Sequence, residues 1–126
     1  MKAAFQVQQG PVPEMPEVWS FQIHGIVNYR NAPELRTALL ASIRELSTSR
    51  LVIELSGVSQ MDTAAAAVLV EALMVSREEG KLALICAPSD AVLRLFRLGG
   101  LGEVLHCCCE GPADLQERFE AVGARG

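Results

Sequence analysis

Only two histidines, His24 and His106, occur in this 126-residue sequence, each inside an apolar run and far from the other. No nucleophile, base or metal constellation gathers around them, so a catalytic triad or a metal site is not expected. A Gly-x-Gly-x-x-Gly loop and a P-loop are also missing, and with them the usual marks of dinucleotide and nucleoside triphosphate binding. Basic residues are scarce: 11 Lys and Arg stand against 15 Asp and Glu, for a net charge of -4 and a pI of about 5.1. A general nucleic-acid binder carries a basic face, so nucleic acid is not an expected partner. No apolar run reaches the roughly 18 residues that span a bilayer. The start, Met1-Lys2-Ala3-Ala4-Phe5-Gln6, lacks the apolar centre of a signal peptide. These absences predict a cytoplasmic protein that neither enters a membrane nor holds a cofactor, and is not an enzyme.

Cysteine is confined to Cys86 and the run Cys107-Cys108-Cys109. Adjacent cysteines do not readily pair, and no second CxxC or histidine cluster completes a zinc site. On a strand, Cys107 and Cys109 would share one side and Cys108 the other. The reading is small apolar fillers in a reduced compartment, with a redox role as the alternative. What the chain does have is a core: 50% of residues are apolar and 21% charged. That composition excludes disorder, and the length fits one domain over 1–126.

Phe5-Gln6-Val7-Gln8 alternates as a strand does, while Gly10-Pro11-Val12-Pro13-Glu14-Met15-Pro16 holds three prolines without N–H donors and reads as a loop over 10–17. Val18 to Ile26 reads as a second strand, with Trp19, Phe21 and Ile23 on one face, completing a hairpin with an enlarged turn. Asn31-Ala32-Pro33-Glu34 is a helix start with Asn31 as N-cap. That helix should run to about Leu46, burying Leu35, Leu39, Ile43 and Leu46. Leu51 to Leu55 is nearly continuous in apolar character, as a central covered strand should be. A short loop leads to Asp62, and a helix from Thr63 should end near Gly80. Leu82 to Ala87 is another buried strand. Pro88-Ser89-Asp90 caps a short helix, Ala91 to Leu98, stopped by Gly99-Gly100. Val104 to Cys108 reads as a last strand, and Gly111-Pro112-Ala113-Asp114 opens a helix through about Val122. The expected core includes Val52, Ile53, Leu55, Leu69, Leu73, Leu82, Leu84 and Ile85. The fold class is therefore α/β: a mixed sheet with an N-terminal hairpin and crossover helices on one or both faces.

The Asp62-Thr63 pair marks the best candidate site. Asp62 is a good N-cap, because its carboxylate can accept unpaired first-turn N–H groups. Thr63 then presents a hydroxyl at the positive end of the helix dipole, where a phosphate is electrostatically welcome. The bland alternative is a cap and a first-turn residue only. Along the helix, Thr63, Ala67, Glu71, Met74 and Glu78 form one row by i+4 and i+3 steps. The rows Ala66, Leu69, Val70, Leu73 and Ala65, Val68, Ala72 are wholly apolar and must face the core, so the first row faces outward. It exposes small residues beside the loop and an adaptable Met74. Glu71, Glu78 and Glu79 read as a solvated helix end, and Glu34, Arg36, Arg44 and Glu45 likewise read as solvated charge.

Three segments in order resemble the STAS domain, the fold of bacterial anti-sigma factor antagonists, over roughly Trp19 to Leu105. His24-Gly25-Ile26-Val27-Asn28 is similar to that family's Gly-Glu-Leu-Asp turn. Val52 to Val70 is similar to its strand, Asp-Ser-Ser-Gly loop and helix. Ala87 to Val92 through Leu98-Gly99-Gly100-Leu101 is similar to its penultimate helix and Gly-Leu ending. The resemblance implies a regulatory domain that docks on a kinase-like anti-sigma factor through Asn28, Asp62, Thr63, Ala64, Ala67, Glu71 and Met74. It also places Ala64 at the usual phosphoacceptor position, Ala65 at the glycine position and Asn28 at the turn aspartate. Thr63 is thus the phosphorylation candidate, or the chain binds constitutively. The small STAS subunit of bacterial lipid-transport ABC systems also carries Asp-Thr here, which makes the transporter ATPase the alternative partner. A homodimer stays open.

Overall fold

The computed structural model describes residues 4–100, 108–109 and 114–125. Phe5–Val12 forms β1 and Met15–Val27 forms β2, an antiparallel hairpin. The expected loop over 10–17 is therefore mostly strand, with Pro13 and Glu14 alone at the turn. The prolines fit because of where they fall. β1 is the edge strand, so Pro11 can lack a donor on the open side. Pro16 lies in the register shift between the pairs Pro11↔Trp19 and Val12↔Met15, and precedes the first pairing with the next strand at Val18.

Helix α1, Ala32–Glu45, follows. Asn31 stands at its N-cap position but makes no side-chain cap bond. Its Oδ1 instead accepts from the Asn28 N–H (2.9 Å) and its Nδ2 donates to the Ile26 carbonyl (2.8 Å). The buried side chain thus ties the loop back on itself. Leu35, Leu39 and Ile43 are buried as expected, with Leu40 joining them. Leu46 is not in the stripe: it is the extended C-cap residue and only half-buried. The Lys81 ammonium donates to the Leu46 and Thr48 carbonyls, both at 2.8 Å, tying the segment before Leu82 to the loop that follows α1.

Strand β3 runs over Arg50–Met61, well past the expected end at Leu55. Its first half pairs with both neighbours, its second half with β2 alone, to the pair Val27↔Met61. The extension depends on two irregularities in β2, between Gln22 and His24 and between Gly25 and Ile26. Glycine is favoured at Gly25 by its backbone, and at Gly57 it leaves room for the His24 ring. Gly25 has φ +102, and a Cβ there would lie 2.5 Å from the Ala4 carbonyl oxygen; a Cβ on Gly57 would lie 2.1 Å from His24 Nδ1. α2 (Thr63–Glu78), β4 (Leu82–Cys86), α3 (Asp90–Leu98), β5 (Cys108–Cys109) and α4 (Leu115–Arg125) complete the order. Ala87 ends β4 one residue earlier than expected, because its φ of +55 leaves the extended region. Ser89 caps α3 through a bond from the Val92 N–H (3.2 Å). Most of the strand expected over 104–108, and the helix opening at 111–113, lie outside the described residues.

The sheet order is β1-β2-β3-β4-β5, with β2 to β5 parallel and β3 central. Both faces are covered. On one, Phe21, Ile23, Leu51, Ile53, Leu55 and Ile85 pack against α1, α2 and α3. On the other, Val18, Val52 and Leu84 pack against Leu115 and Phe119 of α4. This explains the near-continuous apolar run of β3, since a parallel strand buried on both sides has no polar alternate face. Of the expected core, Leu73 and Leu82 are half-buried, and the other members are buried. Leu84 is fully buried. Leu84→Ala should cost about 2–5 kcal/mol in urea unfolding, while Leu82→Ala should cost less, because the lost contacts and the cavity scale with burial. Equal losses in the two variants would contradict the placement of α4.

Candidate functional site at the start of helix α2

The site begins where β3 ends. The Asp62 N–H donates to the Val27 carbonyl (3.3 Å), so the chain leaves the sheet beside the end of β2. Asp62 has extended backbone, and its Oδ1 accepts from the Ala65 N–H at 3.0 Å. Its second oxygen, Oδ2, accepts from the Tyr29 N–H at 2.8 Å. One carboxylate therefore caps α2 and fastens the β2–α1 loop to it. Asp62 is the N-cap that the sequence predicts, and the same side chain also fixes the loop before α1.

Thr63 is exposed in the first turn, directly after this bridge, while Ala64 beside it is half-buried. Ala67 is exposed, Met74 is 58% exposed and Glu71 is half-buried. Ala65, Ala66, Val68, Leu69 and Ala72 are buried, with Val70 and Leu73 partly so. The outer row of α2 therefore faces solvent as the helical phase requires. Glu71 is not a free charge: the Arg36 guanidinium of α1 donates to it through Nε (2.7 Å) and Nη2. That hydrogen bond holds the Glu71 carboxyl below its ordinary range and raises Arg36. The pair is exposed, so it orients the two helices more than it stabilises them.

Asn28 is half-buried, and its Oδ1 accepts from the Arg30 N–H at 3.0 Å. It orders the turn from within. What the turn exposes is Tyr29, at 65%, with the Arg30 guanidinium over its ring at 5.7 Å and Arg30 Nε donating to its hydroxyl at 3.1 Å. Sequence reasoning passed over Tyr29 and Arg30. The available signal was a lone tyrosine between polar neighbours at a strand-to-helix turn, a residue type that anchors interfaces. Asn28, Asp62, Thr63 and Ala64 thus lie at one end of the sheet, with Ala67, Glu71 and Met74 leading away along α2. His24 stands apart, half-buried against Gly57, and His106 lies outside the described residues. No group of His, Cys, Asp and Glu able to hold a metal occurs among the described residues.

A family model, the STAS domain, matches residues 11–111. The fold is similar to an anti-sigma factor antagonist from Mycobacterium paratuberculosis, at TM-score 0.71 and 22% identity over 94% of each chain. It is also similar to the Bacillus cell fate determinant SpoIIAA in its phosphorylated form, at TM-score 0.62 and 15% identity over 98% of this chain and 100% of that one. A sulfate transporter family protein from Wolinella succinogenes matches at TM-score 0.67 and 16% identity, over 86% of this chain and 88% of that one.

If Asp62 is the bridge, Asp62→Ala removes acceptors from two backbone donors at once. It should lower unfolding stability by about 1–3 kcal/mol and should raise amide exchange at both Tyr29 and Ala65. Faster exchange at Ala65 alone would reduce Asp62 to an ordinary cap.

Proposed function

The chain belongs to the STAS domain family, and we propose that within it the chain is a regulatory protein-binding domain of the anti-sigma factor antagonist kind. The observation that supports this most is the Asp62 bridge, which joins an exposed tyrosine loop to the exposed start of α2. From there a row of small and adaptable side chains, Thr63, Ala67 and Met74, is left uncovered by the chain's own elements. Small residues let a partner backbone approach, and Met74 and Tyr29 supply apolar contact. The proposed partner is a kinase-like anti-sigma factor, and any ATP belongs to that partner. The Asp62-Thr63 pair, similar to that of the STAS subunit of bacterial lipid-transport ABC systems, keeps a second reading, docking of the same surface on the ATPase of such a complex. No catalytic role is proposed for any residue.

Regulation, in this reading, runs through Thr63 or not at all, because Ala64 has no oxygen to phosphorylate. A phosphate on Thr63 adds a charge of about -1.5 to -2 and three acceptor oxygens. The helix N-terminus tolerates that charge. The neighbouring Asp62 carboxylate opposes it, and already occupies the Ala65 and Tyr29 N–H groups. A partner packed against Ala67 would have to desolvate or exclude the phosphate. Modification should therefore weaken docking more than folding.

Partners captured from the native cell and identified by mass spectrometry supply the binding assay. Ala67→Arg and Met74→Arg should fold normally and bind at least about tenfold more weakly, since a desolvated or misplaced charge at an interface costs more than about 1.4 kcal/mol. Normal binding by both variants would refute the surface. Incubation with the captured kinase and ATP should yield either no phosphate or phosphate on Thr63. Efficient modification of another hydroxyl, with loss of binding, would refute the regulatory account.

A further inference from the structure

A second constellation lies on the opposite face of the sheet, away from α2. Gln22 pairs with Glu54, Glu54 with Cys86, and Cys86 with Cys109, across four adjacent strands. Directly paired residues of neighbouring strands project to the same face. Cys86 and Cys109 are both 5% exposed and pack with Leu84, Leu115 and Phe119 under α4. Helix α4 covers that face only in part, reaching Val12 and Val18 but leaving Gln8, Gln22 and Glu54 beside a hollow. There a cavity of about 400 Å³ is lined by Gln8, Ser20, Gln22, Glu54, Cys86 and Leu115, among others. Cys86 thus borders a hollow with several polar side chains on its other walls.

Paired strands run about 4.7–4.9 Å apart, within the Cα separation of about 4.4–6.8 Å that disulfides bridge. Both cysteines are free thiols, paired directly across the two strands. The Ala87 N–H donates to the Cys109 carbonyl at 2.8 Å, which fixes the register beside them. Cys108 points the other way and packs against the α1–α3 core. We propose that Cys86 and Cys109 form a dithiol site that hydrogen peroxide converts to an intramolecular disulfide.

The hydrogen bond from Cys109 draws the Cys86 thiol below its ordinary pKa, against burial and the Glu54 charge. Cys109, as donor in a buried site, is pushed far up. Cys86 lines the cavity and Cys109 does not, so Cys86 is the group that peroxide meets first. Its sulfur bonds one peroxide oxygen, the O–O bond breaks, and the departing hydroxide takes the Cys86 proton to leave as water. The sulfur of Cys109 then attacks the sulfenic acid on Cys86. The S–S bond forms, the S–O bond breaks, and the hydroxyl leaves as a second water with the Cys109 proton. The two thiols give up the two electrons that the peroxide gains. The product staples β5, otherwise held to β4 by the pairs Ile85↔Cys108 and Cys86↔Cys109, onto the sheet.

The test uses the full chain, reduced, desalted, titrated with hydrogen peroxide, alkylated and weighed intact. The double variant Cys107→Ser/Cys108→Ser should lose about 2 Da, resist alkylation at both remaining thiols, and recover on dithiothreitol treatment. Its oxidised form should melt about 5 °C or more above its reduced form. Cys109→Ala should stop at a sulfenic acid on Cys86, trapped by dimedone. Cys86→Ala should leave Cys109 unmodified at the same dose. Circular dichroism shows whether each alanine variant folds; where one does not, the linked peptides of the wild-type chain, mapped by tandem mass spectrometry, decide. A bond through Cys107 or Cys108, a bond between two chains, or thiols that remain fully alkylatable would overturn the proposal.

Discussion

The Asp62 carboxylate is the interaction on which the site depends. It has two oxygens and uses each for a backbone N–H on a different element. The bond to Ala65 lets α2 begin where β3 ends. The bond to Tyr29 decides where the β2–α1 loop rests. That position is available only because β3 continues to Met61 in register with Val27, which brings Asp62 level with the end of β2. Gly25 and Gly57 make the continuation sterically allowed. A chain of causes thus runs from two glycines, through strand pairing, to the exposure of Thr63 and Tyr29.

Packing explains why this surface stays open. The sheet is buried on both faces, by α1 to α3 on one side and α4 on the other. α2 spends its two alanine- and leucine-rich rows on that core, and α1 meets it at one flank through Arg36 and Glu71. Apart from Glu71, which Arg36 meets, the remaining row is exposed at Thr63, Ala67 and Met74. Its residues are small near the loop and larger at Met74, a graded surface suited to close approach of a partner backbone at one end. The opposite face is finished differently: α4 covers β3 to β5, and the polar row from Gln22 to Glu54 is left beside a cavity.

Much of this was legible from residue order. Helical periodicity places the inner and outer rows of α2, and the Asp-Thr pair marks its start, because both signals are local. Ser89 before α3 and Gly80 after α2 are local in the same way. What escaped reading depends on partners distant in sequence. Pro11 and Pro16 look like strand breakers until the edge position and register shift are known. Asn31 looks like a helix cap, but its side chain serves Ile26 and Asn28 across the turn. The tail of β3 lacks the apolar run of its first half, since only one neighbour pairs with it. Cys86 and Cys109 meet only through the order of β4 and β5. Tyr29 carried a weak signal, a single tyrosine in a polar turn, and its placement rests on the bond that its N–H donates to Asp62.

The central claim is that one partner docks on the surface built around Asp62. Hydrogen exchange of the chain, free and saturated with its captured partner, tests it most directly, because it reports every segment at once without a substitution. The account predicts new protection concentrated in residues 28–31 and 62–78, with the 115–125 helix unchanged. Protection centred on the 115–125 helix or on the first strand, with 62–78 exchanging as in the free chain, would contradict it.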